Sequence, residues 1–132
     1  MFLAKMVKLD SGRLLEVLNV RVTGSRECVV VLSHGFGGDQ SMWKDILPYL
    51  VPDFKVIVFD LVLACSVDSK HFDFDQSSNS LAAYADDILA ILKELKIFMY
   101  IAHTVSGMLG CLASIKRPEL FERLILLCAS PR

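Results

Sequence analysis

The chain lacks the marks of several large functional classes. No apolar run approaches the ~20 residues needed to cross a bilayer, so no membrane partner is expected. Met1 to Lys8 has no sustained apolar core of the kind that export signals carry, which points to a cytoplasmic or nuclear setting. Cysteines number only 4, and Cys28, Cys65, Cys111 and Cys128 lie far apart with no CxxC pair. They read as buried thiols rather than disulfides or zinc ligands, and no metal or cofactor is expected. Cations are scarce and scattered: 14 Lys and Arg face 15 Asp and Glu, a net charge of −1. Nucleic-acid binding needs clustered cations, so that partner is excluded too. Repeats, linkers and low-complexity tracts are also missing. The 132 residues fit one domain spanning 1–132. What is abundant is apolar character, at 54% of residues. Such an excess implies either a sheet buried on both faces or apolar surface that meets a partner.

Strand-like and helix-like runs alternate along the chain. A helical turn is expected near Leu14–Asn19 and a short strand at Val20–Val22. Cys28–Leu32 is a continuous, β-branched run of the kind buried on both faces. After the glycine-rich Ser33–Gly38 loop, Asp39 is placed to cap a helix carrying Met42, Trp43, Ile46, Leu47 and Leu50 on one side. Lys55–Val62 reads as the next buried strand and Ser66–Ser78 as a polar loop. Asn79 or Ser80 is expected to cap the clearest helix, whose Leu81, Tyr84, Ala85, Ile88, Leu92 and Leu95 recur at helical spacing. A third apolar run, Phe98–Ala102, leads through His103–Gly107 into a helix from Met108 to Lys116, and Leu124–Ala129 forms a fourth buried strand. This alternation predicts an α/β fold, a mostly parallel sheet flanked by helices. Sites in such sheets form at the carboxyl ends of strands, where both unusual loops, His34–Gly38 and His103–Gly107, fall.

A strand entering a sharp turn and then a helix is the setting of the nucleophile elbow, normally Gly-x-Ser-x-Gly. Strained backbone there thrusts the hydroxyl upward, and small neighbours let strand and helix approach. The following N–H, at a helix N-terminus, can bind an oxyanion. His71-x-Asp73-x-Asp75 could suggest a metal, but a solvated loop is the simpler reading. Asp86-Asp87 falls off the apolar stripe of its helix and reads as surface.

The stretch from His34 through Gly35, Phe36, Gly37, Gly38, Asp39, Gln40 and Ser41 to Met42 and Trp43 resembles one in the strigolactone and karrikin receptors, plant α/β-hydrolases. There it reads His-Gly-Phe-Gly-x-Asp-Gln-x-x-Trp. The bacterial regulator RsbQ is similar as well. His71–Asp75, Leu112–Phe121 and Ala129–Arg132 extend the likeness over nearly the whole chain. The resemblance implies a partial α/β-hydrolase fold and places Phe36 and Val105 as the two oxyanion-hole donors. It also implies a small butenolide-type ligand and an F-box signalling partner for the intact family.

The same comparison exposes departures. The family's elbow reads Gly-His-Ser-Val-Ser, whereas here Ala102, His103, Thr104, Val105 and Ser106 precede Gly107. Thr104 therefore takes the nucleophile position. A β-branched residue at the elbow's positive φ is an outlier, costing about 1–3 kcal/mol. In the family the lid, acid and histidine follow in a second half, with no counterpart before Arg132. His34 belongs to the oxyanion loop in that family. His103 should face away from Thr104, since adjacent strand residues alternate. The expected protein is thus a truncated, catalytically silent receptor hydrolase. Its alternatives are a binding or interfering module in such signalling, a residual serine-hydrolase-type esterase, or an incomplete gene model of an active one.

Overall fold

The structure, a computed structural model, describes residues 5–6, 11–61, 64–68, 70, 72–73, 81–92 and 95–129. Its main sheet holds β2 (Arg21–Thr23), β3 (Val29–Ser33), β4 (Lys55–Phe59), β6 (Ile97–His103) and β7 (Leu124–Leu127). They lie in the order β2-β4-β3-β6-β7. All pairings are parallel except β2 with β4. Two features were not anticipated: β2 runs antiparallel, and β1 (Lys5–Met6) pairs with β5 (Phe72–Asp73) in a separate ladder. Part of the expected polar loop is thus strand, while His71, Asp75, Asn79 and Ser80 lie outside the described residues.

Strand periodicity explains the core. Val29 and Val31 of β3 join Ile57 and Phe59 of β4 on one face, under α1 (Ser11–Val17), α3 (Leu81–Ile91) and α4 (Val105–Lys116). Val30, Leu32, Val56 and Val58 take the other face, under Trp43 and the short α2 (Leu47–Leu50). Each such side chain contributes about 1.5–3 kcal/mol on burial. In α3, Tyr84, Ala85, Ile88 and Ile91 are buried, with Leu92 just beyond it, as the spacing predicts. Asp86 is exposed and pairs with Lys116 at 2.5 Å.

Several expectations fail for local reasons. The single helix after Asp39 is instead a 3₁₀ turn, Gln40–Trp43, followed by the one-turn α2. Pro48 cannot donate a helical hydrogen bond, so the stripe breaks and leaves Met42 and Ile46 exposed. Strand β4 stops at Phe59, short of Val62, which lies outside the described residues. Strand β7 is an edge, so Ile125, Leu126 and Leu127 are 38–45% exposed instead of buried. The thiol expectation is also corrected: Cys28, Cys65 and Cys128 are exposed and Cys111 half-buried, all of them free. The three exposed ones sit in turns or at strand ends, where neither sheet face covers them, and Cys111 lies within α4.

Candidate active site

Strand β6 is held on both sides just before its end. Ala102 is fully buried, opposite Ser33 of β3 and Leu126 of β7. The chain then turns at Thr104, with φ 52° and ψ −117°. Its N–H donates to Leu127 O at 2.9 Å and its carbonyl accepts from Gly107 N at 2.9 Å. A strained strand-to-helix turn is therefore present with threonine at its apex, enforced by ladder bonds before it and a helix after it. Helix α4 starts at Val105, three residues ahead of the expected Met108, because the elbow leads straight into it. Like any N–H of a first helical turn, that of Val105 lacks an acceptor within the helix.

Two glycines make the close approach possible. A side-chain carbon on Gly107 would lie 2.4 Å from Ala129 Cβ. One on Gly35 would lie 2.2 Å from Thr104 Oγ1 and 2.6 Å from His103 Nδ1. With no side chain at Gly35, the loop after β3 settles onto the elbow, and Phe36 N–H reaches Thr104 Oγ1 at 3.4 Å. Gly37, at φ 78°, turns the loop away, and the Phe36 ring is 62% exposed. Asp39 then caps the following turn, accepting from Ser41 N at 2.7 Å. Hydrogen bonds from the Ser41 side chain and then its backbone hold the Asp39 carboxyl below its ordinary range.

The histidines depart from their expected places. His34 is fully buried: its Nε2 accepts from Leu61 N–H at 2.8 Å and its Nδ1 donates to Gly35 O at 2.8 Å. Those two bonds tie the loop to the end of β4, with neither nitrogen free. His103 does not face away from Thr104. Because Thr104 has left extended geometry, strict alternation breaks, and His103 Nδ1 and Thr104 Oγ1 both abut Gly35.

Two polar networks beneath the loops had no expectation attached. Ser33 Oγ donates to Ser106 Oγ at 2.8 Å, and Ser106 Oγ donates on to His34 O, linking β3, its loop and α4 through side chains with no exposure. Asp60, just past β4 and 3% exposed, accepts from Asn19 Nδ2, Gln40 N and Ser66 Oγ at 2.8–2.9 Å. The available signal was the same in both cases: polar residues at the ends of apolar strands. A cavity of about 480 Å³ opens above Asp60, lined by Asn19, Gln40 and Lys44 among others, and no elbow residue lines it. The described residues contain no group of three metal-ligating side chains. Among them no helix is long and apolar enough to cross a membrane.

Comparison with known proteins agrees with this geometry. The model of the alpha/beta hydrolase fold family matches residues 29–132. Strigolactone esterase RMS3 of Pisum sativum is 51% identical over 121 residues, 90% of this chain and 45% of that protein. Strigolactone esterase D14 of Arabidopsis thaliana is 49% identical, covering 94% of this chain and 47% of that protein. Karrikin insensitive 2 receptor IA of Petunia hybrida is also 49% identical, over 91% and 44%. Among solved structures, a hydrolase of Oleispira antarctica superposes with a TM-score of 0.83 at 34% identity, covering 96% of this chain and 46% of that one. The chain thus spans a little under half the length of the relatives it matches. Matched by the family's model over most of its length, and about half identical to two strigolactone esterases and a karrikin insensitive 2 receptor, the chain belongs to the α/β-hydrolase family.

Proposed function

We propose that this chain is a receptor-hydrolase-type protein that keeps the elbow but does not turn over esters or lactones. One observation carries the reading. Thr104 Oγ1, which this reading takes as the nucleophile position, accepts from Phe36 N–H, and no hydrogen bond donated by it is found among the described residues. A neutral hydroxyl with no base to take its proton is a poor nucleophile, and triad members act as a unit. In this reading Phe36 and Val105 supply the oxyanion donors. The ligand class is a small butenolide, by likeness to relatives named as strigolactone esterases and karrikin receptors, and the setting is cytoplasmic or nuclear. The test is steady-state release of nitrophenol from an activated aryl ester, with Thr104→Ala as control. Both proteins should match the buffer rate, and so should the Thr104→Ser/Ala102→Gly double variant. Sustained turnover by the unaltered chain that disappears in Thr104→Ala refutes the reading.

The exposed edge favours a second reading, a binding or interfering module. Ile125, Leu126 and Leu127 project from a strand whose outer side has no partner among the described residues. Such an edge is a template for pairing with another chain. Concentration-dependent capture of an intact receptor hydrolase or its F-box partner would support this reading. A monodisperse chain that captures neither would remove it.

A further inference from the structure

The cavity above Asp60 is lined by charges of both signs that do not neutralise one another. Arg21 and Lys44 share its lining with Asp39 and Asp60, yet none of the four forms an ion pair among the described residues. The two carboxylates are held by other bonds: Asp39 accepts from Ser41 N, and Asp60 from Asn19 Nδ2, Gln40 N and Ser66 Oγ. Gln40 Nε2 also donates to Asn19 O at 2.9 Å, and Asn19 takes φ 50°. The approach to β2, the turn after β3 and the end of β4 are thus locked around one carboxylate. A carboxylate offers about four acceptor positions, so these bonds leave capacity on both. Leu47 and Val58 add apolar surface to the same lining. At about 480 Å³ the cavity falls within the roughly 300–1,000 Å³ of ordinary small-molecule sites.

We propose that this cavity binds a free α-amino acid with an apolar side chain. Its carboxylate meets the Arg21 guanidinium and the Lys44 ammonium. Its own ammonium lies against Asp39, over the buried charge of Asp60, and its side chain rests on Leu47 and Val58. A simple anion would meet two uncompensated carboxylates in this lining, and a simple cation two uncompensated cations. A zwitterion answers both signs at once. Hydrogen bonds between ionised groups are roughly twice as strong as neutral ones, so both ends of the ligand contribute. The frame of Asn19, Gln40 and Asp60 is already fixed, which keeps the ordering cost of binding small. No elbow residue lines the cavity, so the inference stands apart from the chemistry of Thr104.

The experiment is a titration of the isotope-labelled chain with L-leucine, followed through backbone amide chemical shifts. Saturable shifts are expected at Asn19, Gln40, Lys44 and Asp60, with a dissociation constant on the order of 1 mM for so small a ligand. N-acetyl-leucine lacks the ammonium and leucinamide lacks the carboxylate. Each should bind at least ~10-fold more weakly, the loss of about one charge-assisted hydrogen bond. Glycine, without a side chain to rest on the apolar surface, should bind more weakly than leucine as well. An Arg21→Ala/Lys44→Ala variant, altered only at exposed positions, should lose leucine affinity by the same factor while its remaining amide signals hold their places. No saturable shift well past the expected concentration, equal affinity for N-acetyl-leucine or leucinamide, or undiminished binding in the double variant overturns the site. If the double variant does not fold, the two blocked leucines decide alone. None of these results bears on ester turnover, which the Thr104→Ala comparison settles separately.

Discussion

Thr104 should make the protein less stable than a glycine in its place would. The residue sits at φ 52° and ψ −117°, where a β-branched side chain is strongly disfavoured. Backbone strain of this kind costs about 1–3 kcal/mol. Glycine releases it but loses about 0.5–1 kcal/mol to greater freedom in the unfolded chain. The hydrogen bond from Phe36 N–H, at 3.4 Å, is long and its loss counts for little. Thr104 is only half-buried, so the packing loss is small as well. The net expectation for Thr104→Gly is a gain of about 1 kcal/mol, with Thr104→Ala between the two. With an unfolding slope of about 2 kcal/mol per molar urea, the midpoint should rise by roughly 0.5 M. Equilibrium unfolding followed by circular dichroism reads this directly. A midpoint for Thr104→Gly below that of the native chain would show that the strain is not real or is compensated locally, and the argument would fail.

Three further outcomes follow from the packing around the elbow. Gly35→Ala drives a methyl into Thr104 Oγ1 and His103 Nδ1, so it should cost about 1–3 kcal/mol by urea unfolding. A Thr104→Ala background should recover part of that loss, and strict additivity would count against the contact. Ser106→Ala leaves Ser33 Oγ and His34 O without their partner in a fully buried setting and should cost about 1–3 kcal/mol, read as a fall in melting temperature. Burial pushes the Tyr100 phenol far above the ordinary tyrosine range, Ser33 offsetting only a little, and burial followed by the charge of Asp87 raises Tyr84 as well. With folded values above unfolded ones, this stability is complete below about pH 10 and is lost as the unfolded phenols ionise above it. Unfolding midpoints should therefore drop above about pH 10 and drop less in Tyr100→Phe; equal slopes would contradict the assignment.

The central strands and α3 were legible because their evidence is local. A run such as Cys28–Leu32 needs no knowledge of its neighbours to be read as doubly buried, and the spacing in Leu81–Leu92 points one way. The sharp turn from strand to helix at Thr104 was legible from its flanking residues. What failed depended on neighbours the chain does not announce. Leu124–Leu127 has the composition of an inner strand yet forms an edge, because burial is decided by what lies alongside. The free thiols lost their expected cover for the same reason. His103 was assigned a direction by an alternation rule that holds only while backbone stays extended, and Thr104 breaks that condition. The shielded hydroxyl chain through Ser33 and Ser106 joins residues 73 positions apart, beyond the reach of any local pattern.

The contact between Phe36 N–H and Thr104 Oγ1 also bridges 68 positions of chain, and no local preference supports it. A loop of that size closes only after β3 and β6 have found one another, so the elbow belongs to the late stages of folding. Before docking, Thr104 would relax toward negative φ and its hydroxyl would swing away from the loop. Helical circular dichroism should therefore mature ahead of the elbow, and the Phe36 amide should be among the slower groups to gain protection from solvent exchange. The strained turn thereby becomes a reporter of completion: it exists only in molecules whose central sheet is already assembled.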